Sequence, residues 1–156
     1  VSEVVRVMDM FELRFPDAKP LLVGDISRRA GGRLPPHKSH RNGRDIDISY
    51  PRTNEPPTWG RFQNVSRRTL DTDQMLWMIK AYLETDQVEF IFIDRRLQYE
   101  LVKEAKRQGA PQEWITAVFQ YPNYGKGGAA IVRHSKGHVN HFHIRFKCQP
   151  SDRKCS

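Results

Sequence analysis

The sequence has little cysteine, no long hydrophobic run and no HExxH motif, and each absence excludes a class of protein. Its 156 residues include two cysteines, both near the C-terminus, so a cysteine-rich structural zinc site is excluded. The longest apolar stretches, such as residues 90–93, are far shorter than the roughly 20 residues that span a bilayer, so we expect no transmembrane helix. Without HExxH, the glutamate base of many zinc peptidases is also missing.

Cys148 and Cys155 are separated by six residues in a polar tail. This short spacing favours a local disulfide that would close the segment 148–155, with two free thiols as the alternative. A disulfide would place the protein in the periplasm, at the cell surface or outside the cell. No basic region followed by an apolar run stands at Val1, so we expect any secretion signal to have been removed or to lie outside this sequence.

The length of the chain indicates the number of domains, and its charge indicates the kind of partner. A chain of 156 residues with 38% apolar residues can build one core, so we expect a single domain over residues 1–156, with an N-terminal helix and linker in 1–20. Lysine and arginine total 26 against 18 acidic residues, and the net charge of +8 favours an anionic partner. Nucleic acid, a membrane surface and acidic cell-wall polymer are all anionic partners of this kind. The charge does not choose among them, because the basic residues are scattered along the chain instead of forming one block.

Hydrophobic periodicity predicts a mixed fold. Apolar residues at helical spacing predict helices over residues 2–14, 71–83 and 97–108. Alternating or β-rich runs predict strands over residues 45–50, 88–93 and 139–146. In the first of these strands Ile46 and Ile48 alternate with polar residues, which predicts that the strand is half-buried. We expect an α+β domain with a central antiparallel β-sheet and flanking helices.

Five of the six histidines lie in two short windows, HKSHRNGRDID at 37–47 and HVNHFH at 138–143. Such clustering points towards a metal, although either window alone is also compatible with solvated or core histidines. His40 and Asp47 are seven positions apart, so a turn must lie between them if both are to face one side. Asn42 and Gly43 supply residues that accept positive φ for that turn.

The second window places His141 and His143 on one face of its strand and Phe142 on the other. The polar faces of the two strands could therefore meet at one metal. Two imidazoles, one carboxylate and a water around Zn²⁺ are typical of a catalytic zinc site, in which the water becomes a nucleophile. The spacing alone does not decide which histidines are ligands, because neighbours on one face can both bind one metal.

Both windows belong to a longer set of motifs, GDIS at 24–27, GG at 31–32, PHKSHRNGRDIDI at 36–48, VRH at 132–134 and GHVNHFHIR at 137–145. This set resembles the penicillin-insensitive murein endopeptidases, which belong to the lysostaphin, D-Ala-D-Ala peptidase and hedgehog fold group. The match extends with gaps from residue 24 to residue 155, and Cys148 and Cys155 resemble that family's C-terminal cysteine pair. The resemblance implies a hedgehog/D,D-peptidase-like fold and a periplasmic or secreted enzyme.

The resemblance also implies a role for individual residues. His40, Asp47 and His143 would bind one catalytic zinc ion, and His141, the first histidine of the HxH pair, would be a catalytic partner. His138 matches a further active-site histidine of the family. With no HExxH glutamate, these two histidines would move the proton between the nucleophilic water and the leaving amine. The substrate would be the peptide cross-links of peptidoglycan, cleaved at D-alanyl-meso-diaminopimelyl bonds.

Other residues are weaker candidates. His37 matches a family position beside the zinc, and Asp71 is either a further metal-proximal residue or only the negative charge that begins a helix. Ser39 either contacts substrate or shapes its loop. Trp59, Phe62, Tyr121 and Tyr124 lie in Pro- and Gly-rich loops, where aromatic residues either line a groove or cap the core; we take Trp59 and Tyr124 as substrate-binding candidates.

Three alternatives remain open at this point. The first is a D,D-carboxypeptidase or dipeptidase on the same fold, which would need a cation to hold a terminal carboxylate. The second is a metal-dependent nuclease or nucleic-acid binder, but the sequence has neither a dense basic stripe nor a phosphate-cradling glycine loop, so we expect no nucleic acid partner. The third is a non-catalytic wall-binding module that retains a peptidase fold. The intact residues of both motifs argue against this alternative.

Overall fold

The computed structural model describes residues 2–27, 31–35, 40–56, 58, 60–123 and 129–149. In these ranges the chain forms four helices and four strands. Their order is α1 Ser2–Arg14, β1 Asp45–Ser49, α2 Thr72–Glu84, β2 Val88–Phe92, α3 Arg95–Arg107, α4 Gln112–Val118, β3 Val132–Arg133 and β4 His141–Phe146. The predicted α+β class is confirmed, and each predicted helix and strand overlaps an observed one.

The four strands form one sheet in the order β1-β4-β2-β3. The last strand in sequence, β4, lies inside the sheet and pairs antiparallel with both β1 and β2. The two-residue strand β3 pairs parallel with β2, so the sheet is antiparallel except at this edge. The central position of β4 agrees with the burial of its apolar side chains, because Phe142 and Ile144 are both 0% exposed.

Helix α2 forms the centre of the core. It contacts both α1 and α3, and six of its thirteen residues are buried, namely Met75, Leu76, Met78, Ile79, Ala81 and Tyr82. The apolar side chains of β1 and β4 belong to the same buried cluster: Ile46, Ile48, Phe142 and Ile144. Because alternate residues of a strand point to opposite faces, the polar residues of β1 and β4 lie together on the other face of the sheet.

The prediction that β1 is half-buried is wrong, since Asp45 and Asp47 on its polar face are 0% and 1% exposed. The extended segment 22–26 runs along the outer edge of β1 and forms backbone hydrogen bonds with it. Gly24 N donates to Asp47 O at 2.7 Å, and Ser49 N donates to Leu22 O at 2.9 Å. Carboxylates buried in this way need partners, because an unpaired buried charge is strongly unfavourable.

Helix α4 and strand β3 were not expected from the sequence. Helix α4 has only seven residues, too few to show a clear helical period. Strand β3 consists of Val132 and Arg133 and exists through its pairing with β2.

Two further expectations concern the membrane and the cysteines. Within the described ranges, no helix has both the length and the apolar character required for a membrane span. Cys155 lies outside the described residues, so the Cys148–Cys155 disulfide stays a prediction.

Candidate metal centre

The pairing of β1 with β4 places polar side chains of the two strands opposite one another. Asp47 lies opposite His143, and Asp45 lies opposite Arg145. His40 reaches the same place from the loop before β1. The chain turns between His40 and β1 at Gly43, whose φ of 77° is a conformation that glycine adopts without steric cost. This turn is the one that the seven-residue spacing of His40 and Asp47 required.

Three side chains converge at this point. His40 Nε2 lies 3.3 Å from His143 Nδ1 and 3.3 Å from Asp47 Oδ1, and His143 Nδ1 lies 3.1 Å from Asp47 Oδ1. All three residues are buried, with exposed fractions of 1%, 5% and 1% for His40, His143 and Asp47. The ligand atoms of these residues are close enough to share one metal ion.

The outer hydrogen bonds of the two imidazoles fix which nitrogen faces inward. His40 Nδ1 donates to the carbonyl oxygen of Ile26 at 3.1 Å, and His143 Nε2 donates to Asp45 Oδ1 at 2.7 Å. In the neutral rings, His40 Nε2 and His143 Nδ1 therefore carry lone pairs. Two lone pairs and a carboxylate oxygen at 3.1–3.3 Å repel one another unless a proton or a metal cation lies between them.

These separations fit zinc. Zn–N and Zn–O bonds of about 2.0–2.1 Å in a tetrahedral arrangement separate two ligand atoms by about 3.3–3.4 Å. The three observed separations are 3.3, 3.3 and 3.1 Å. The donor set also matches a catalytic rather than a structural site, because three protein ligands leave the fourth tetrahedral position open.

The electrostatics of the centre favour an ionised carboxylate. Burial alone would raise the pKa of Asp47, but the close imidazoles of His143, His40 and His141 outweigh burial and hold this pKa far below its usual range. For His143, burial lowers the pKa, and the hydrogen bonds to Asp45 and Asp47 outweigh it and raise the pKa. Both directions favour positive charge at this point, and a metal ion would compete with protons for the same lone pairs.

Asp45 is the residue of this centre that the sequence reasoning missed. It is fully buried and accepts hydrogen bonds from His143 Nε2 at 2.7 Å and from Arg145 Nε at 2.9 Å and Nη2 at 3.1 Å. Burial would raise the pKa of Asp45, but these partners lower it. A carboxylate behind a ligating imidazole orients the ring and increases its basicity. The DxD spacing in the first window was the available signal, since it puts both aspartates on one face.

His141 lies beside the three convergent residues. Its Nε2 is 3.6 Å from Asp47 Oδ1, and its Nδ1 is 2.6 Å from Asn140 Oδ1. Phe62 stacks on the ring, with centroids 5.1 Å apart and planes 27° apart. Residue 24 is glycine for a packing reason, because a Cβ there would lie 2.5 Å from Phe62 Cζ. Of the loop aromatics, Phe62 is therefore one that reaches the site.

His138 lies next to His141, with ring centroids 4.8 Å apart. Its carbonyl oxygen accepts hydrogen bonds from Tyr50 Oη at 2.9 Å and from Asp94 N at 3.3 Å, which fixes the backbone that carries the ring. Burial and the nearby charge of His143 lower the pKa of His138. His138 is therefore held neutral and in place beside the centre.

The remaining predicted residues lie elsewhere or outside the described ranges. His37, Ser39, Trp59 and Tyr124 fall outside the residues that the structure describes, so their proposed roles stay predictions. Asp71 is the N-cap of α2, where Asp71 Oδ1 accepts from Gln74 N at 3.0 Å.

The position of Asp71 leads to a prediction about its role. We expect Asp71→Ala to lower the free energy of unfolding by about 1 kcal/mol through loss of the cap, with an unchanged zinc content. Asp71→Ser, which retains a capping oxygen, should be close to wild type in denaturant unfolding. Zinc loss in both variants would instead make Asp71 a metal-proximal residue.

Comparison with known proteins agrees with this geometry. The family model for penicillin-insensitive murein endopeptidase matches residues 4–156. A protein of that name from Haemophilus influenzae is 28% identical over 146 residues, which cover 85% of this chain and 44% of the relative. The one from Yersinia enterocolitica is 25% identical over 150 residues, which cover 86% of this chain and 48% of the relative. The chain thus spans a little under half the length of these curated relatives. With the family model matching almost from end to end, and with the motif histidines and aspartates gathered at one place, this chain belongs to the penicillin-insensitive murein endopeptidase family.

Proposed function

We propose that residues 1–156 form one zinc peptidase domain that hydrolyses the peptide cross-links of murein, at D-alanyl-meso-diaminopimelyl bonds. The observation that carries the proposal is the convergence of His40 Nε2, Asp47 Oδ1 and His143 Nδ1 in a member of a murein endopeptidase family. The two relatives are named as murein endopeptidases. An enzyme that acts on the cell wall would be periplasmic or secreted, and a Cys148–Cys155 disulfide would be stable in either location.

His40, Asp47 and His143 are the residues that would hold the metal. When bound, a zinc ion supplies Lewis acidity, which polarises a carbonyl group and lowers the pKa of water towards neutrality. The buried carboxylate of Asp47 offsets part of the ionic charge. Ile26 O and Asp45 hold the two imidazoles in the tautomer that offers a lone pair to the ion.

We assign the proton transfer to His141. The amide oxygen Asn140 Oδ1 can only accept, so His141 Nδ1 carries the hydrogen of their 2.6 Å contact and Nε2 is left with a lone pair. That nitrogen faces the centre and can take a proton from the nucleophilic water. It can then give the proton to the leaving amine. Neutral His138, in ring contact with His141, lies where it can stabilise the developing oxyanion or share the proton.

The test uses three substrates. We expect the purified protein to convert cross-linked muropeptide dimers to monomers, to lose this activity with a chelator and to regain it with Zn²⁺. Monomeric pentapeptide and DNA should remain intact. Release of terminal D-Ala from the pentapeptide would instead identify a D,D-carboxypeptidase, and degradation of DNA would identify a nuclease. Dimer cleavage that is insensitive to the chelator would exclude the metal.

A further inference from the structure

A cleft of about 500 Å³ is lined in part by Val139, which lies between His138 and His141 in the sequence. Its apolar wall consists of Val65, Leu97 and Val139. Val65 N donates to Val139 O at 2.9 Å, so the cleft and the second histidine window share one stretch of backbone. The segment 62–68 also joins them, because it begins at Phe62, stacked on His141, and ends at the cleft.

Three arginines, Arg67, Arg68 and Arg96, form the rim; we call this feature the arginine cleft. Arg67 contacts Glu100 Oε1 at 3.5 Å and keeps a 56% exposed side chain. The backbone of Arg68 bonds to Ser66 Oγ and Thr53 Oγ1, whereas its guanidinium group makes no ion pair or hydrogen bond with any residue in the described part of the chain. The rim therefore offers exposed guanidinium groups, one of which has no intramolecular partner among the described residues.

The one acidic residue of the cleft does not cancel this charge. Asp94 Oδ1 accepts from Arg96 N at 2.9 Å and from Arg96 Nε at 3.0 Å, so this carboxylate is occupied in capping α3. The Arg96 side chain remains 63% exposed, and its two terminal nitrogens can still donate. With Asp94 and with Glu100, the partner of Arg67, counted against the three arginines, the cleft keeps an excess of one positive charge.

We propose that the arginine cleft binds the free carboxylates of the murein peptide stem next to the bond that is cleaved, an inference that rests on the proposed function. Guanidinium groups match carboxylates because they donate two parallel hydrogen bonds. The apolar wall formed by Val65, Leu97 and Val139 suits the aliphatic part of a peptide. Among the lining residues there is no aromatic ring on which a nucleotide base could stack. The cleft is a specificity-determining subsite that holds one stem while the next is cut.

The test compares muropeptide dimers that carry free carboxylates with the same dimers after amidation. We expect R68Q/R96Q to raise the KM for the free-carboxylate dimer about three- to tenfold, with kcat within about twofold of wild type. On the amidated dimer the variant and the wild type should have the same KM. The charge-matched control R6Q/R14Q, on helix α1, should behave as wild type on both substrates.

The single variant Arg68→Gln is the control for misfolding, because the Arg68 side chain has no ion pair to lose in the described structure. We expect this variant to raise KM about twofold with an unchanged melting temperature. An unchanged KM for R68Q/R96Q, or an equal increase on the amidated dimer, would overturn the proposal.

Calorimetric titration with an uncleavable stem tripeptide tests the binding role of the arginine cleft separately from the proposed peptidase activity. If wild type cleaves no dimer, the proposed function fails, yet a tripeptide Kd weakened only in R68Q/R96Q would still support the cleft. An unchanged tripeptide Kd, or tighter binding of a DNA oligonucleotide, would refute it.

Discussion

His143→Ala should leave the protein without bound zinc and with background activity on muropeptide dimers, whereas His141→Ala should keep most of the metal. His143 Nδ1 lies 3.1 and 3.3 Å from the other two ligand atoms, so its loss removes one of three protein ligands. His141 is outside the convergent group. Its removal should lower kcat by about 10²- to 10⁴-fold, the typical contribution of a general base.

Metal content by mass spectrometry and turnover of the dimer check this pair of variants. His134→Ala is the matched control, because His134 caps α3 through a hydrogen bond from Arg95 N at 3.1 Å and is not part of the convergent group. The control should keep both zinc and turnover. Full zinc content in His143→Ala would reassign the ligands, and complete zinc loss in His141→Ala would make that residue a ligand.

Asp45→Ala should weaken zinc binding about 10- to 100-fold, although Asp45 does not face the metal. Without this carboxylate the His143 ring loses the acceptor of its Nε2 hydrogen bond, so neither its tautomer nor its orientation is fixed. The free energy of unfolding should fall by about 1–3 kcal/mol, since His143 and Arg145 lose a buried partner. Asp45→Asn, which keeps an acceptor oxygen but not the charge, should show a smaller loss of affinity.

Competition with a chromogenic chelator measures the zinc affinity, and denaturant unfolding measures the stability. The control is Glu89→Ala on strand β2, because Glu89 also pairs with an arginine, Arg44, but its side chain is 36% exposed. We expect Glu89→Ala to bind zinc as wild type does and to lose less stability, in line with the small contribution of exposed pairs. Wild-type zinc affinity in Asp45→Ala would show that the outer carboxylate does not support the ligand.

Local pattern was sufficient for the long elements of the fold. The amphipathic spacing in 2–14, 71–83 and 97–108 was found as α1, α2 and α3, because an apolar stripe that must be buried repeats every three to four residues. Helix α4 and strand β3 were missed because seven and two residues carry no readable period. The interior position of β4 was also not predictable, since pairing partners are distant in sequence.

Burial of β1 shows where local pattern misleads. Alternation in DIDIS is the usual mark of a strand with one face in water, yet Asp45 and Asp47 are buried. Among their described partners, His40 is the one that lies in the same window, 3.3 Å from Asp47. The partners of Asp45, His143 and Arg145, lie about 100 residues further along the chain, so the window around β1 does not contain the groups that make the burial of Asp45 tolerable.

The amino-acid sequence by itself determined the chemical inventory: two histidine windows, their aspartates, the glycine turn and a motif set specific enough to indicate the family. Only the tertiary structure decided how those groups face one another. His143 presents Nδ1 to the centre because Asp45, 98 residues away, holds its Nε2, and Arg67, Arg68 and Arg96 share a rim because segment 62–68 is bound to Val139. The physical reason is that residue type and periodicity are local properties, whereas ring orientation, burial and charge clustering arise from contacts that form only when distant segments pack together.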